Sequence, residues 1–286
     1  MKTLLTIGHG YTAAALTRRL LPQGWRVIGT TRGHPENLIS AGIEPVLWPG
    51  TPLASALAEA THVLSSVPPG PEGDPVLAAE AKALAEAGPH LEWVGYLSTT
   101  GVYGDHGGGW VDETTPLTPG TSRGRARADA EAAWFKLAMR PGLPLHVFRL
   151  AGIYGPGRAP FEAIRNGSAR RIIKPGQMFS RIHVDDIATV LAASIAQPDP
   201  GAVYNVCDDL PSPPEDVITY AAKLLGLPPP PAVPFAEAEL GPMARSFYAE
   251  SKQVRNDWVK TALGVQLAYP TYREGLAAVL KAESSR

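Results

Sequence analysis

The chain has 286 residues, 44% of them hydrophobic, and a formal net charge of −1. This charge argues against a nucleic-acid or membrane-surface role that rests on bulk charge, and no uninterrupted apolar run approaches the length of a membrane span. Cys207 is the single cysteine, which excludes an intramolecular disulfide and a cysteine-cluster metal site and predicts a reducing, cytoplasmic location.

The chain opens with the pattern of a strand, a glycine turn and a helix. An apolar run, Leu4 to Ile7, precedes a G-x-G-x-x-A turn whose small residues are Gly8, Gly10 and Ala13. They allow a sharp turn, the approach of a pyrophosphate, and close packing of helix on strand. Free N–H groups at the start of the helix favour phosphate. The pattern predicts a dinucleotide site, with a purely structural turn as the alternative, over the segment Gly8-His9-Gly10-Tyr11-Thr12-Ala13.

The end of the second predicted strand indicates which cofactor the turn binds. This strand covers 25–30 and runs into Thr31 and Arg32. An NAD site has an acidic residue about here to hold the ribose 2′-hydroxyl, and no acid is present. A guanidinium instead matches the oxygens of a 2′-phosphate. The sequence therefore predicts NADP, with NAD less favoured; the alternative is an ordinary solvated arginine.

Further strands alternate with helices along the chain. The pattern predicts strands at 44–47, 62–66, 93–98 and 203–206, and helices at 75–87 and from about 123 to 139. The loop after the fourth strand carries Ser65, Ser66 and Val67 at a carboxyl strand end, where such sheets bind ligands. The alternation predicts an α/β protein with a Rossmann-type, doubly wound parallel sheet.

Four motifs occur in a fixed order: S-T-T-G-V-Y-G at 98–104, D-E-T-T-P-L at 112–117, R-L-A-G-I-Y-G-P-G at 149–157 and R-I-H-V-D-D-I-A at 181–188. The set resembles the extended short-chain dehydrogenase/reductase family, the group of nucleotide-sugar epimerases and dehydratases. The resemblance implies a cofactor domain over 1–150 and 181–206, with Ser98 at the cofactor. It also implies a smaller α/β substrate domain over 151–180 and 207–286.

The chain departs from the family at its catalytic positions. The family uses a Ser or Thr, a general-base Tyr, and a Lys four residues after that Tyr. The resemblance puts Thr99 at the first position, but Arg123 and Arg127 at the other two. Arginine stays protonated, so Arg123 cannot be a base. Arg127 can still reach ribose hydroxyls or a phosphate, and the pair can form an anion clamp or be solvated. The chain thus resembles an atypical branch without the Tyr–Lys pair.

Few other groups are candidates for chemistry. Tyr103 is either a replacement acid or a packing residue. A basic cluster is predicted either to meet a substrate phosphate, with Lys174 and Arg181 as candidates beside Arg123, or to be a solvated strand. The cluster consists of Arg170, Arg171, Lys174 and Arg181. His183 and the acids at 185–186 fit no metal motif, and a buried histidine followed by helix-capping acids is the preferred interpretation.

These patterns favour an NADP-dependent oxidoreductase or epimerase-like enzyme that acts on an anionic small molecule such as a nucleotide sugar. The alternative is a non-catalytic NADP(H)-binding sensor or regulatory protein. No nucleic-acid or membrane partner is expected, and the sequence is compatible with a homodimer.

Overall fold

The computed structural model describes residues 1–139 and 142–284. The first elements in chain order are β1 (Thr3–Ile7), α1 (Tyr11–Leu20), β2 (Arg26–Thr31), α2 (Pro35–Ser40), β3 (Glu44–Leu47), α3 (Ala54–Glu59), β4 (His62–Ser65), α4 (Pro75–Ala87) and β5 (Trp93–Thr99). The middle of the chain forms β6 (Trp110–Val111), α5 (Ser122–Met139), β7 (Leu145–Leu150), β8 (Gly152–Tyr154), α6 (Phe161–Arg165), β9 (Arg171–Ile173), β10 (Arg181–His183), α7 (Val184–Ala196) and β11 (Val203–Val206). The last elements are α8 (Pro214–Leu224), β12 (Ala232–Pro234), α9 (Pro242–Phe247), β13 (Gln253–Val254), α10 (Asp257–Leu263) and α11 (Tyr272–Ser284).

Seven parallel strands form the main sheet in the order β11-β7-β5-β4-β1-β2-β3. All residues of β1 and β4 are buried, as expected for strands covered by helices on both faces. The strand order changes direction between β1 and β4, and ligands bind at such a switch point, outside the carboxyl ends of the strands. The predicted Rossmann-type α/β fold is confirmed.

Alternation along the strands divides the core into two layers. Leu4 packs in the layer that includes Leu16 of α1 and Ile187 of α7. The next residue, Leu5, packs in the opposite layer, which includes Trp134 of α5. Because successive strand residues point to opposite faces, each helix covers one face. This packing fixes the sheet edge at which the loops converge.

A third apolar cluster lies apart from the sheet. It combines Tyr154 of β8, Phe161 of α6, Val217 of α8 and Leu276 of α11. These residues come from the two segments assigned to the substrate domain. The second segment is divided, however, because residues 254–265 of β13, α10 and the following loop contribute to the core layer beneath α7. Within the described residues, no helix is both long and apolar enough to span a membrane.

Candidate functional site

The glycine turn joins β1 to α1 at the switch point. Gly8 has φ +82°, and a Cβ there would lie 2.9 Å from Val67 Cγ2. Its N–H donates to Thr30 Oγ1 at 2.7 Å, which ties the turn to β2. At Gly10 a Cβ would meet only the Gly8 carbonyl oxygen, at 3.9 Å. Protein packing therefore requires a glycine at position 8, whereas the space beside Gly10 is open for a ligand.

The turn opens onto a first cleft of about 1000 Å³. Its cationic side chains are Arg32, Arg127 and Arg158, and no carboxylate lines it among the described residues. The predicted cofactor residues that line it are Gly8, His9, Gly10, Tyr11, Thr12, Thr31, Arg32, Ser66, Val67, Ser98 and Arg127. Ala13 and Ser65 lie behind the wall and are fully buried. The cleft therefore attracts anions along most of its length.

The end of β2 forms one end of the first cleft. Thr31 Oγ1 donates to the Gly33 carbonyl oxygen, which holds the loop in a tight turn. Arg32 is exposed beside it. Trp48, which sequence reasoning did not select, closes this end, and its indole N–H donates to Glu80 Oε1 at 2.9 Å. The arrangement combines a guanidinium with a fixed aromatic wall.

His9 lies on the wall of the same cleft. Its Nδ1 is 2.8 Å from Thr6 Oγ1. Burial lowers the pKa of His9, so the ring is neutral at physiological pH. The positive charge near the turn therefore comes from the arginines and not from this imidazole.

The start of α5 faces the carboxyl end of β5. A Cβ at Gly124 would lie 2.8 Å from the Gly101 carbonyl oxygen, so the first helical turn packs tightly on the turn after β5. This contact sets the rotation of the helix. Arg123 and Arg127 consequently line the second cleft, whereas Arg125 points away and donates to the Gly120 carbonyl oxygen at 2.8 Å. The sequence spacing anticipated this division of the three arginines.

Arg127 stands between the two clefts and lines both. Its guanidinium donates to the Leu97 carbonyl oxygen at 2.5 Å and lies 5.7 Å from the centroid of the Tyr96 ring. Thr99 also lines both clefts, and its Oγ1 accepts from the Gly101 N–H at 3.2 Å. Arg123 is more exposed and lies 5.5 Å from the centroid of the Phe247 ring. The structure thus brings these predicted catalytic residues together.

The second cleft has a volume of about 650 Å³ and is lined by residues of β5, α5, β8, β10 and α9. Among the described cationic residues that line this cleft, Lys252 is the one that forms an ion pair with a carboxylate: its Nζ lies 2.9 Å from Glu250 Oε2. The remaining cationic groups have no carboxylate within ion-pair distance in the described chain and are Arg123, Arg127, Arg158 and Arg181. A cleft with this excess of guanidinium favours an anionic ligand.

The predicted basic cluster is divided by the structure. Arg181 lines the second cleft, and its NH1 donates to the carbonyl oxygens of Phe179 at 3.0 Å and Ser212 at 3.1 Å. Arg170 lines only a third cleft of about 440 Å³, which Arg181 also reaches. Arg171 donates to the Pro230 carbonyl oxygen at 2.8 Å. Lys174 donates to the Tyr248 carbonyl oxygen and lines none of the three clefts, which argues against its predicted role at the substrate.

Tyr103 is fully buried and lines none of the three clefts. Its hydroxyl donates to Asn205 Oδ1 at 2.7 Å and accepts from Arg149 NH1 at 3.0 Å. Arg149 in turn forms a buried ion pair with Glu131 at 2.8 Å. Burial raises the pKa of Tyr103 to about 12. Of the two interpretations of Tyr103, the structure supports a packing residue, because the buried network holds its hydroxyl. The hypothesis that Tyr103 replaces the missing acid is therefore corrected.

His183 begins α7 as its N-cap, and its Nδ1 accepts from the Asp185 N–H at 3.2 Å. Asp186 Oδ1 accepts from the Ala268 N–H at 2.7 Å. These groups stabilise a helix start and a neighbouring loop. The buried histidine and the acids in the first turn agree with the capping interpretation, but the N-cap is His183 itself and not an acid.

Sequence reasoning missed several lining residues. Arg158 directly follows the G-P-G of the third motif, so its position beside the motif was an available signal. Phe247 and Tyr248, at the end of α9, enter the second cleft from a distant part of the chain. No local pattern marks these aromatic residues, because only the packing of the small domain brings them to the site.

The comparisons with known proteins agree with this architecture. The family model described as the NAD-dependent epimerase/dehydratase family matches residues 80–207. Protein YeeZ of Escherichia coli is 31% identical over 246 residues, covering 80% of this chain and 86% of that protein. A conserved protein of unknown function from Silicibacter pomeroyi is 61% identical, covers 99% of both chains and has a TM-score of 0.94.

A more distant solved structure shows the same fold. The UDP-glucuronic acid 4-epimerase of Bacillus cereus, solved in complex with NAD, is 18% identical and has a TM-score of 0.77, covering 98% of this chain and 99% of that one. The predicted resemblance to epimerases and dehydratases is confirmed. The chain therefore belongs to the NAD-dependent epimerase/dehydratase family.

Proposed function

We propose that this protein is an NADP(H)-dependent oxidoreductase or epimerase-like enzyme of an atypical branch, which acts on an anionic small molecule. The observation that carries the proposal is the position of Arg127. It lines the first and second clefts at once and is fixed to the end of β5, and the resemblance to the family puts it at the position of the family's lysine. A residue there can contact both a cofactor and a substrate.

The first cleft fits a dinucleotide. Gly8 is required by the backbone turn, but Gly10 leaves open space at the start of α1, where pyrophosphate binds in this type of turn. Arg32 and the absence of a lining carboxylate among the described residues support NADP(H) over NAD(H). In the Bacillus cereus epimerase the bound cofactor is NAD, so the preference proposed here depends on the residues at the end of β2.

The arginines determine what chemistry the site can support. A bound nicotinamide would supply or accept a hydride. Arg123 and Arg127 cannot remove a proton, because guanidinium groups stay protonated. They can bind a carboxylate or phosphate and stabilise negative charge that develops on a reacting oxygen. Thr99, beside Arg127, can donate a hydrogen bond to the same oxygen. The site is therefore suited to reduction or oxidation of an anionic substrate by electrostatic stabilisation.

A second candidate is a non-catalytic NADP(H)-binding sensor. The observation that favours it is that Tyr103 is buried in a structural network, while the resemblance to the family puts Arg123 at the position of the tyrosine base. Such a protein would bind the cofactor in the first cleft and use the second cleft only for recognition.

Two measurements test the proposal together. Calorimetric titration with NADPH should give saturable binding for the wild type and a large loss for Gly10→Val, whose side chain would occupy the open space beside the turn. Oxidation of NADPH would then be followed with a panel of anionic carbonyl compounds and nucleotide sugars.

Retention of the cofactor affinity by folded Gly10→Val would contradict the assigned cleft. Binding without turnover of any compound would favour the sensor. Thermal unfolding of Gly10→Val is the control, because a Cβ at this position meets only one atom at 3.9 Å and should leave the fold intact.

A further inference from the structure

We propose that Arg158 is a ligand of the cofactor's pyrophosphate, held over the glycine turn by Tyr11. This inference rests on the proposed function, because it assigns a residue to the same dinucleotide site. Neither the glycine-turn pattern nor the residues at the end of β2 assign this role to Arg158.

The segment that carries Arg158 is pressed against the start of α1. Tyr11, the first residue of α1, donates its hydroxyl to the Pro156 carbonyl oxygen at 2.9 Å. Gly155 has φ +148°, and a Cβ there would lie 2.6 Å from the Tyr11 hydroxyl and 2.9 Å from Val184 Cγ1. A side chain has no room at Gly155, so the backbone after β8 passes directly beside the tyrosine.

Arg158 then folds back over Tyr11. The backbone N–H of Arg158 donates to the Gly155 carbonyl oxygen at 2.9 Å, which closes a tight turn. Its guanidinium carbon lies 4.3 Å from the centroid of the Tyr11 ring, within the distance of a cation–π interaction. The stacking positions the planar guanidinium at the mouth of the first cleft, beside the residue that follows Gly10.

The guanidinium is available for an anion. Along the described chain, no carboxylate lies within ion-pair distance of Arg158, in contrast to Arg149 with Glu131 and Arg165 with Glu283. Arg158 is also the one described side chain that lines all three clefts. An arginine held by an aromatic face and otherwise unpaired presents its forked donors to phosphate oxygens.

The position of Arg158 selects the pyrophosphate over the 2′-phosphate. Tyr11 places it at the start of α1, whereas the 2′-phosphate is expected beside Arg32 at the end of β2. The pyrophosphate is common to NADPH and NADH. Arg158 should therefore strengthen the binding of both dinucleotides equally, whereas Arg32 should discriminate between them.

The test measures affinities of wild type and Arg158→Ala for NADPH, NADH and adenosine 2′-monophosphate by calorimetry. Arg158→Ala should weaken NADPH and NADH by the same factor, about tenfold to hundredfold, which is the range for loss of a charge-assisted hydrogen bond. The affinity for adenosine 2′-monophosphate, which has no pyrophosphate, should be unchanged. The dinucleotide affinities of Arg158→Lys should lie between those of the wild type and those of Arg158→Ala.

Arg125→Ala is the control, because Arg125 is an exposed arginine that lines none of the three clefts. Tyr11→Leu should weaken both dinucleotides, and the double variant Tyr11→Leu/Arg158→Ala should lose less than the sum of the single effects, since the tyrosine acts through the arginine.

Unchanged dinucleotide affinity in Arg158→Ala would overturn the inference, and so would a loss confined to NADPH. If the wild type binds neither dinucleotide, the proposed function fails and this inference fails with it. That result is distinguishable because it appears before any substitution is made.

Discussion

Arg32 is the residue on which the proposed preference for NADP(H) depends most directly. It stands exposed at the end of β2 in a cleft where the described residues contribute no carboxylate. Charge-assisted hydrogen bonds contribute about 1.5–3 kcal/mol each, and about 1.4 kcal/mol corresponds to a tenfold change in affinity. We therefore expect the wild type to prefer NADPH over NADH by tenfold or more, and Arg32→Ala to remove most of that preference while leaving the affinity for NADH unchanged.

Fluorescence titration of both cofactors with wild type and Arg32→Ala measures this preference. Arg125→Ala is the control, because Arg125 is exposed and lines neither the first nor the second cleft. Arg26→Ala would be unsuitable, since Arg26 forms ion pairs with Glu44 and Glu59. Equal affinities of the wild type for the two cofactors would refute the prediction.

Tyr103 shows how a residue of a recognisable motif can be structural. Its hydroxyl connects Asn205 to the buried pair formed by Arg149 and Glu131. Tyr103→Phe leaves a donor of Arg149 without its acceptor, and an unsatisfied buried group costs about 1–3 kcal/mol. We expect the free energy of unfolding in urea to fall by that amount while NADPH affinity stays within twofold of the wild type. Loss of cofactor turnover without loss of stability would return Tyr103 to a catalytic role.

At the scale of the element, α5 determines what the site can catalyse. The close packing of Gly124 on the Gly101 carbonyl oxygen fixes the rotation of the helix, so Arg123 and Arg127 both line the second cleft. The proposed function places them at the sites of the family's base and its lysine. Positioned acid–base catalysis contributes roughly 10²–10⁴-fold. We therefore expect the wild type to epimerise UDP-glucose and UDP-glucuronic acid only at a slow background rate, and Arg123→Tyr/Arg127→Lys to gain activity.

Turnover assays with both nucleotide sugars measure this difference, and Arg125→Lys on the same helix is the matched control because it faces away from the clefts. Rapid epimerisation by the wild type would contradict the expectation, because it would require a base other than the residue at position 123.

At the scale of the whole molecule, Asp208 couples the sheet to the small domain. It lies two residues after the end of β11, is 1% exposed, and its backbone N–H donates to the Arg181 carbonyl oxygen at 2.6 Å. Oδ1 accepts from the Leu210 N–H at 3.2 Å, while Oδ2 is buried without a partner among the described residues. Burial raises the pKa of Asp208 to about 8, although Arg181 opposes the shift. The folded protein therefore retains a proton here at neutral pH.

The sign of the pH effect follows from this raised pKa. The unfolded chain releases the proton above its ordinary pKa near 3.9, so between about pH 4 and 8 the folded state binds more protons. The contribution of Asp208 to the free energy of unfolding should fall as pH rises through this window, by up to about 1.4 kcal/mol per pH unit. Asp208→Asn has no such proton to lose.

Urea unfolding of wild type and Asp208→Asn at pH 5.0 and 7.5 checks this. The stability of the variant relative to the wild type should increase with pH. The contribution of the buried histidines to the pH dependence cancels in this comparison, because they titrate in both proteins. Asp216→Asn is the control, since Asp216 is exposed. A difference that stays constant between the two pH values would show that Asp208 does not titrate in this window.

The local pattern was enough to predict the fold and the glycine turn. Alternating apolar runs and helical segments located six of the seven strands of the described sheet to within one residue, because such strands must be buried on both faces, whereas β7 (Leu145–Leu150) was not predicted. Gly8 could be read directly, since the constraint on it is a backbone property of the turn itself. The division of the arginines at 123, 125 and 127 was equally visible, because register within one helix is set by local spacing.

Only the tertiary structure decided which side chains share a cleft. The sequence grouped Lys174 with Arg181, but the ammonium of Lys174 holds the Tyr248 carbonyl oxygen while Arg181 reaches the second cleft. Tyr103 lies within one recognisable motif and Arg158 directly follows another, yet Tyr103 is enclosed by the buried network and Arg158 lies over Tyr11. Sequence determines local backbone geometry and periodicity, whereas the direction and pairing of a long polar side chain depend on neighbours that the fold brings from distant segments.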